Sequence, residues 1–165
     1  MHWGKCYDPH DHAELLGAEI IYSRAVRGFG DYRAGIIRLH PDLTQAEARC
    51  TTAHEIVHHQ HRDDVLGYCG VAWLDTRLER RVHAIASRRL IIPVELADAV
   101  RWTDDPNDIA EQLIVDARTL HTRVLALTRD DYAELRTVAN GVIRRSLADL
   151  RRHAARHLHQ QQPGA

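Results

Sequence analysis

His54, Glu55, Ile56, Val57 and His58 set two imidazoles four residues apart with a carboxylate between them. On a helix this spacing brings both rings to one face about a turn apart, where one ion can reach both. Two imidazoles and a further oxygen donor suit zinc, Zn(2+), with a position left open for water. Glu55 lies one residue round the helix from His54, where its carboxylate meets a water on the ion and not the ion itself. Such a group is placed to act as general base in metal-assisted hydrolysis. The chain has 13 histidines, so accidental pairs at this spacing compete, and the motif's weight rests on its context.

The expected third ligand is Glu79, which follows His58 by 79 − 58 = 21 positions and stands one turn before Val82 and His83 on a second helical pattern. Thr76 and Glu79 also spell a capping box, in which the glutamate would only satisfy a backbone amide. Two other ligands compete. His61 lies seven residues after His54 on the same stripe, and Asp64 falls where H-E-x-x-H-x-x-G-x-x-H would place its last histidine. That longer pattern needs a glycine at position 61, which this chain lacks. His83 is a candidate second-layer partner or transition-state stabiliser, and Tyr22 and Tyr32 are candidate cleft residues.

These side chains need elements to hold them. Asp8-Pro9 and Gly17 bracket a short helix over residues 9–16. Residues 18–26 and 31–39, rich in Ile and Tyr and separated by Arg27-Gly28-Phe29-Gly30, read as a hairpin, with Gly35 marking a bulge or close approach. Thr44 and Glu47 make a capping box, so the motif helix is expected over residues 45–61 on grounds independent of its histidines. Ala53, Ile56 and Val57 supply its packing face. The second helix spans about 77–91 and ends at Pro93. Helical patterns follow over 94–102, 107–113 with 117–127, and a long 129–158, with the best linker at 103–107.

The resulting expectation is an α+β fold: a small antiparallel sheet packed on the motif helix and the Glu79 helix, with an all-helical C-terminal extension. The chain divides into a metal-bearing core at 1–95, a helical module at 96–128, a long helix at 129–159 and a disordered tail at 160–165. No run of residues is apolar enough for a membrane span, and residues 1–5 lack a secretory pattern. Cys6, Cys50 and Cys69 are odd in number without a C-x-x-C pair, which argues against both a disulfide framework and a thiolate zinc site. A cytoplasmic location follows. The net charge of −1 provides no global field for nucleic acid. Lys5 is the only lysine among 22 basic residues, a bias that suits a GC-rich genome.

The runs Leu43-Thr44-Gln45-Ala46-Glu47, Thr52-Ala53-His54-Glu55-Ile56-Val57-His58 and Glu79 through Pro93 (ERRVHAIASRRLIIP) resemble the ImmA/IrrE metallo-endopeptidases of bacteria, mobile elements and phages, over residues 14–127. The resemblance implies zinc on His54, His58 and Glu79, with Glu55 as the catalytic glutamate. It also implies a protein substrate, a helix-turn-helix repressor or related regulator of a phage or mobile element. Where many members have Ala-Asn and then Phe-Ala after the ligand glutamate, this chain has Val82-His83 and Ile85-Ala86, with one extra residue before Pro93.

Ile109 to Val115, then Thr119-Leu120 and Arg123-Val124, resemble a helix-turn-helix core in which Ile114 replaces the usual turn glycine. Its exposed readers would be Arg118, His121 and Arg123. An alternative function follows: a zinc-stabilised, non-catalytic regulator or antirepressor that binds a repressor or DNA.

Overall fold

Asp8 caps α1 (Pro9–Leu15) by accepting from the His10 amide at 2.7 Å, and Gly17 turns the chain out with a φ of +71°. In the computed structural model, which describes residues 7–61, 72–138 and 141–160, three short strands follow: β1 (Glu19–Tyr22), β2 (Gly30–Arg33) and β3 (Ile36–Leu39). Their order is β1-β3-β2.

The expected antiparallel hairpin between residues 18–26 and 31–39 is not formed, and the sheet is mixed. β2 and β3 pair antiparallel, whereas β1 lies parallel to β3 with Glu19 opposite Ile36 and Tyr22 opposite Leu39. The tight turn falls at Ala34-Gly35, where φ values of +51° and +85° make the doubly left-handed turn that matches strand twist. Gly35 therefore terminates β2 instead of bulging a longer strand. Folding the second segment on itself makes β3 the central strand, consistent with the complete burial of Ile37 and Leu39. Residues 23–29 then carry the chain across the sheet.

The capping box forms as expected: the Thr44 amide donates to Glu47 at 2.8 Å and the Glu47 amide donates to Thr44 Oγ1 at 3.3 Å. It opens α2 (Gln45–His61). This helix sits between two apolar clusters. Ile56 packs with Ala13, Ile37 and Leu39, while Ala53 and Val57 pack with residues of the later helices. Gly30 lets β2 lie directly on α2, because a Cβ there would meet Thr51 Cγ2 at 2.5 Å and the Arg38 carbonyl at 2.9 Å. Thr51 is one turn before Glu55.

α3 (Ala72–Leu90) starts earlier than the expected residue 77, and Pro93 then opens α4 (Pro93–Trp102) as its first residue. Asp105 caps α5 (Pro106–Gln112) and Asp116 caps α6 (Ala117–Leu125). The single helix expected over 129–158 is two: α7 (Arg129–Val138) and α8 (Gly141–Gln160). α8 folds back on α7, with Arg151 donating to the Tyr132 hydroxyl at 2.5 Å, which a single continuous helix would not allow. One buried cluster runs from Tyr7 and Cys50 through Val82, Leu96, Leu113 and Leu120 to Leu150, crossing residues 95 and 128 without interruption. Gln160 is helical, and the rest of the expected tail lies outside the described residues. Among the described residues no helix is long and apolar enough to cross a membrane.

Candidate metal centre

α2 and α3 bring His54, His58 and Glu79 together. The two histidine Nε2 atoms stand 3.1 Å apart, with Glu79 Oε2 3.2 Å from His54 Nε2 and Oε1 3.3 Å from His58 Nε2. A tetrahedral ion with bonds of about 2.0–2.1 Å sets its donors roughly 3.3–3.4 Å apart. The three donors, all within 4.8 Å of one another, could hold a metal ion. His54 Nδ1 is buried without a hydrogen-bond partner, so an ion on Nε2 would be what fixes that ring's tautomer. His58 is buried at 6% exposure and His54 nearly so at 13%, and Glu79 at 33% leaves one side open to solvent.

Glu79 is in the interior of α3 and does not cap it. Thr76, its proposed capping partner, donates instead to the Ala72 carbonyl at 2.7 Å. The capping alternative fails because the helix begins four residues before Thr76.

Glu55 is buried beside the cluster. Burial pushes its carboxyl up from the ordinary range, while His54 and His58 act in the opposite sense. His83 packs its ring 4.2 Å from that of His54, with Nε2 3.9 Å from Glu79. Burial, then His54 and Arg118, press its pKa down to about 3, leaving a neutral ring. Arg118 is exposed, at the start of α6.

No family model, curated protein or solved structure matches this chain. Its reading rests on the residues themselves.

The other candidates separate clearly. His61 is exposed at the end of α2 and outside the donor cluster, and Asp64 lies outside the described residues. Tyr32 shares a 3.1 Å hydrogen bond with His59 Nδ1 and accepts from the Gly35 amide at 3.2 Å, so it ties the β2–β3 turn to α2. Tyr22 is exposed at the end of β1.

Two of the three expected base readers are buried, a correction to the helix-turn-helix reading. Arg123 is 1% exposed, its Nε donating to the Ile91 carbonyl at 2.8 Å and its two terminal nitrogens to Asp131 at 2.9 and 2.6 Å. His121 is 7% exposed. The turn itself keeps its shape. Ile114 adopts φ +53°, the left-handed conformation that glycine normally supplies. Arg49 of α2 donates to the Ile114 carbonyl at 3.0 Å and to that of Leu113 at 3.4 Å. Sequence reasoning missed Arg49 and the Arg123–Asp131 pair. Only the Thr128-x-x-Asp131 capping pattern hinted that Asp131 is fixed in place.

Proposed function

We propose that the chain is a zinc-dependent endopeptidase whose substrate is a regulatory protein, a helix-turn-helix repressor of a phage or mobile element being the leading candidate. The convergence of His54, His58 and Glu79 on one point, with Glu55 buried beside it, carries this reading. The resemblance to the ImmA/IrrE peptidases supports the substrate class.

His54, His58 and Glu79 would hold the ion, and the partial exposure of Glu79 leaves the cluster reachable from solvent. When bound, zinc lowers the pKa of a water toward neutrality and polarises a carbonyl. Glu55 takes the proton of the attacking water and returns it to the departing amine, so that neither a free hydroxide nor an amide anion has to form. Its burial keeps the carboxylate out of competition with bulk water. His83 limits the freedom of His54 by packing on its ring. An extended substrate segment can pair with the outer edge of β2, the strand beside α2, which binds peptide through backbone hydrogen bonds without a deep pocket.

The test is metal content by elemental analysis on wild type, His58→Ala and Glu55→Gln purified without added metal, with cleavage of candidate repressors followed on the same samples. One zinc fewer per chain in His58→Ala than in wild type, no loss in Glu55→Gln, and cleavage by wild type alone is the expected outcome. Equal biological effect of wild type and Glu55→Gln would favour the non-catalytic regulator instead.

A further inference from the structure

α6 and α8 carry a second gathering of histidines, well away in sequence from the first. His153 and His157 stand four residues apart on α8 with ring centroids separated by 4.3 Å. His121 of α6 lies 5.3 Å from the former ring and 5.6 Å from the latter. Three imidazoles bound to one ion at about 2.0–2.1 Å have centroids roughly 5 Å apart. The His54–His58 separation in the first centre is 4.8 Å.

His121 is the deepest member. It is 7% exposed, and its Nε2 is buried with no hydrogen-bond partner. Buried nitrogens are almost always paired, so an unpaired one beside two further imidazoles marks a position where a ligand would satisfy it. His153 is half-buried and His157 is exposed, which gives an ion a way in. Burial, then the neighbouring rings, lower the pKa of His121, and burial with His157 does the same for His153. Both therefore favour the neutral form that ligates metals. Among the described residues only the first centre has all its donor atoms within 4.8 Å. Closing the second requires rotation of the two α8 rings about their side-chain bonds, a rearrangement open to a solvent-facing histidine.

We infer that His121, His153 and His157 form a second metal site, for a borderline divalent transition-metal ion such as zinc, that fastens α8 to α6. The three nitrogens and a water complete a four-coordinate shell. α6 also packs against α3, the helix of Glu79, and Arg118 stands one turn before His121 on the side of His83. The ion thus braces the helix that backs the first centre.

Zinc binding by calorimetry, with amide hydrogen exchange of α8 read by mass spectrometry, tests this on the full chain. Wild type is expected to bind two zinc ions, and both His153→Ala/His157→Ala and His54→Ala/His58→Ala to bind one each. At zinc 100 times its dissociation constant, exchange in α8 through local opening should slow about 100-fold in wild type and in the His54→Ala/His58→Ala variant, but not in His153→Ala/His157→Ala. His153 and His157 lie toward the surface, so their removal leaves the fold intact. One zinc per wild-type chain that survives in His153→Ala/His157→Ala and is lost in His54→Ala/His58→Ala would overturn the inference. The reverse pattern would uphold it while removing the metal from the proposed peptidase site.

Discussion

Two carboxylates lie in the folded chain on opposite electrostatic terms. Glu55, on α2, is surrounded by His54, His58, Glu79 and Asp31, none of them a permanent cation, and burial raises its pKa. For Asp131, on α7, burial alone would also raise the pKa. There the Arg123 guanidinium and the Thr128 amide and hydroxyl outweigh it and bring the value to about 2. The α7 group is saturated with hydrogen bonds and serves the fold. The α2 group is raised by burial and, in the proposed function, is the one that takes up a proton. Burial, deeper for Glu55 than for Asp131, raises both, and the neighbours decide in which direction each carboxyl finally moves.

Glu55→Gln tests the chemical side most severely. Turnover of the cleaved substrate should fall by about 10²–10⁴, some 3–5 kcal/mol in the barrier, while the thermal unfolding midpoint stays at or above that of wild type. A clear fall in the midpoint would make Glu55 a structural residue and erase the contrast. Arg123→Ala should do the opposite, costing about 3 kcal/mol in urea unfolding because the buried Ile91 carbonyl and the part-buried Asp131 both lose their donor. A loss under about 1 kcal/mol would mean that water replaces the guanidinium.

Acid titration sharpens the same comparison. Asp131 has a folded-state pKa of about 2 against an ordinary 3.8, so its contribution is complete above about 3.8 and is lost as the pH falls toward 2. With allowance for the solvent that reaches it, that contribution is on the order of 1–2 kcal/mol. Urea midpoints measured from pH 5 to pH 2 should show this component in wild type and not in Asp131→Asn. The smallest expected effect is at Ile114. Ile114→Gly should stabilise the chain by about 0.5–1 kcal/mol in the same unfolding assay, since a β-branched residue is costly at φ +53°.

What the sequence disclosed follows from how local each signal is. The capping box at Thr44 and Glu47, and the histidine spacing within one helix, need only a few neighbouring residues, and both could be read directly. Glu79 joins them across 21 positions and a different helix, where the spacing favours a ligand but also fits a capping role that only the start of α3 removes. The sheet misled because Gly28-Phe29-Gly30 and Ala34-Gly35 both offer turns, and only the pairing of β1 with β3 distinguishes them. Arg123 reads as a surface residue by type. Its burial depends on a partner eight residues later in the next helix and on the Ile91 carbonyl, a combination that no periodicity encodes.

The grip of Arg49 on the turn at residues 113 and 114 bears on how such a chain can evolve. Both acceptors are main-chain carbonyls, and a third bond from the same guanidinium goes to the Tyr7 carbonyl at 3.3 Å. At this contact the joint between α2 and the later helices is thus set by backbone shape, so the side chains at residues 113 and 114 are not what Arg49 reads, while the buried cluster beside it sets the rest of the joint. Recombination that exchanged the helices after residue 105 would have to bring in both a turn that presents two carbonyls in the same place and an apolar face that refills the cluster around Cys50, Ala53 and Val57.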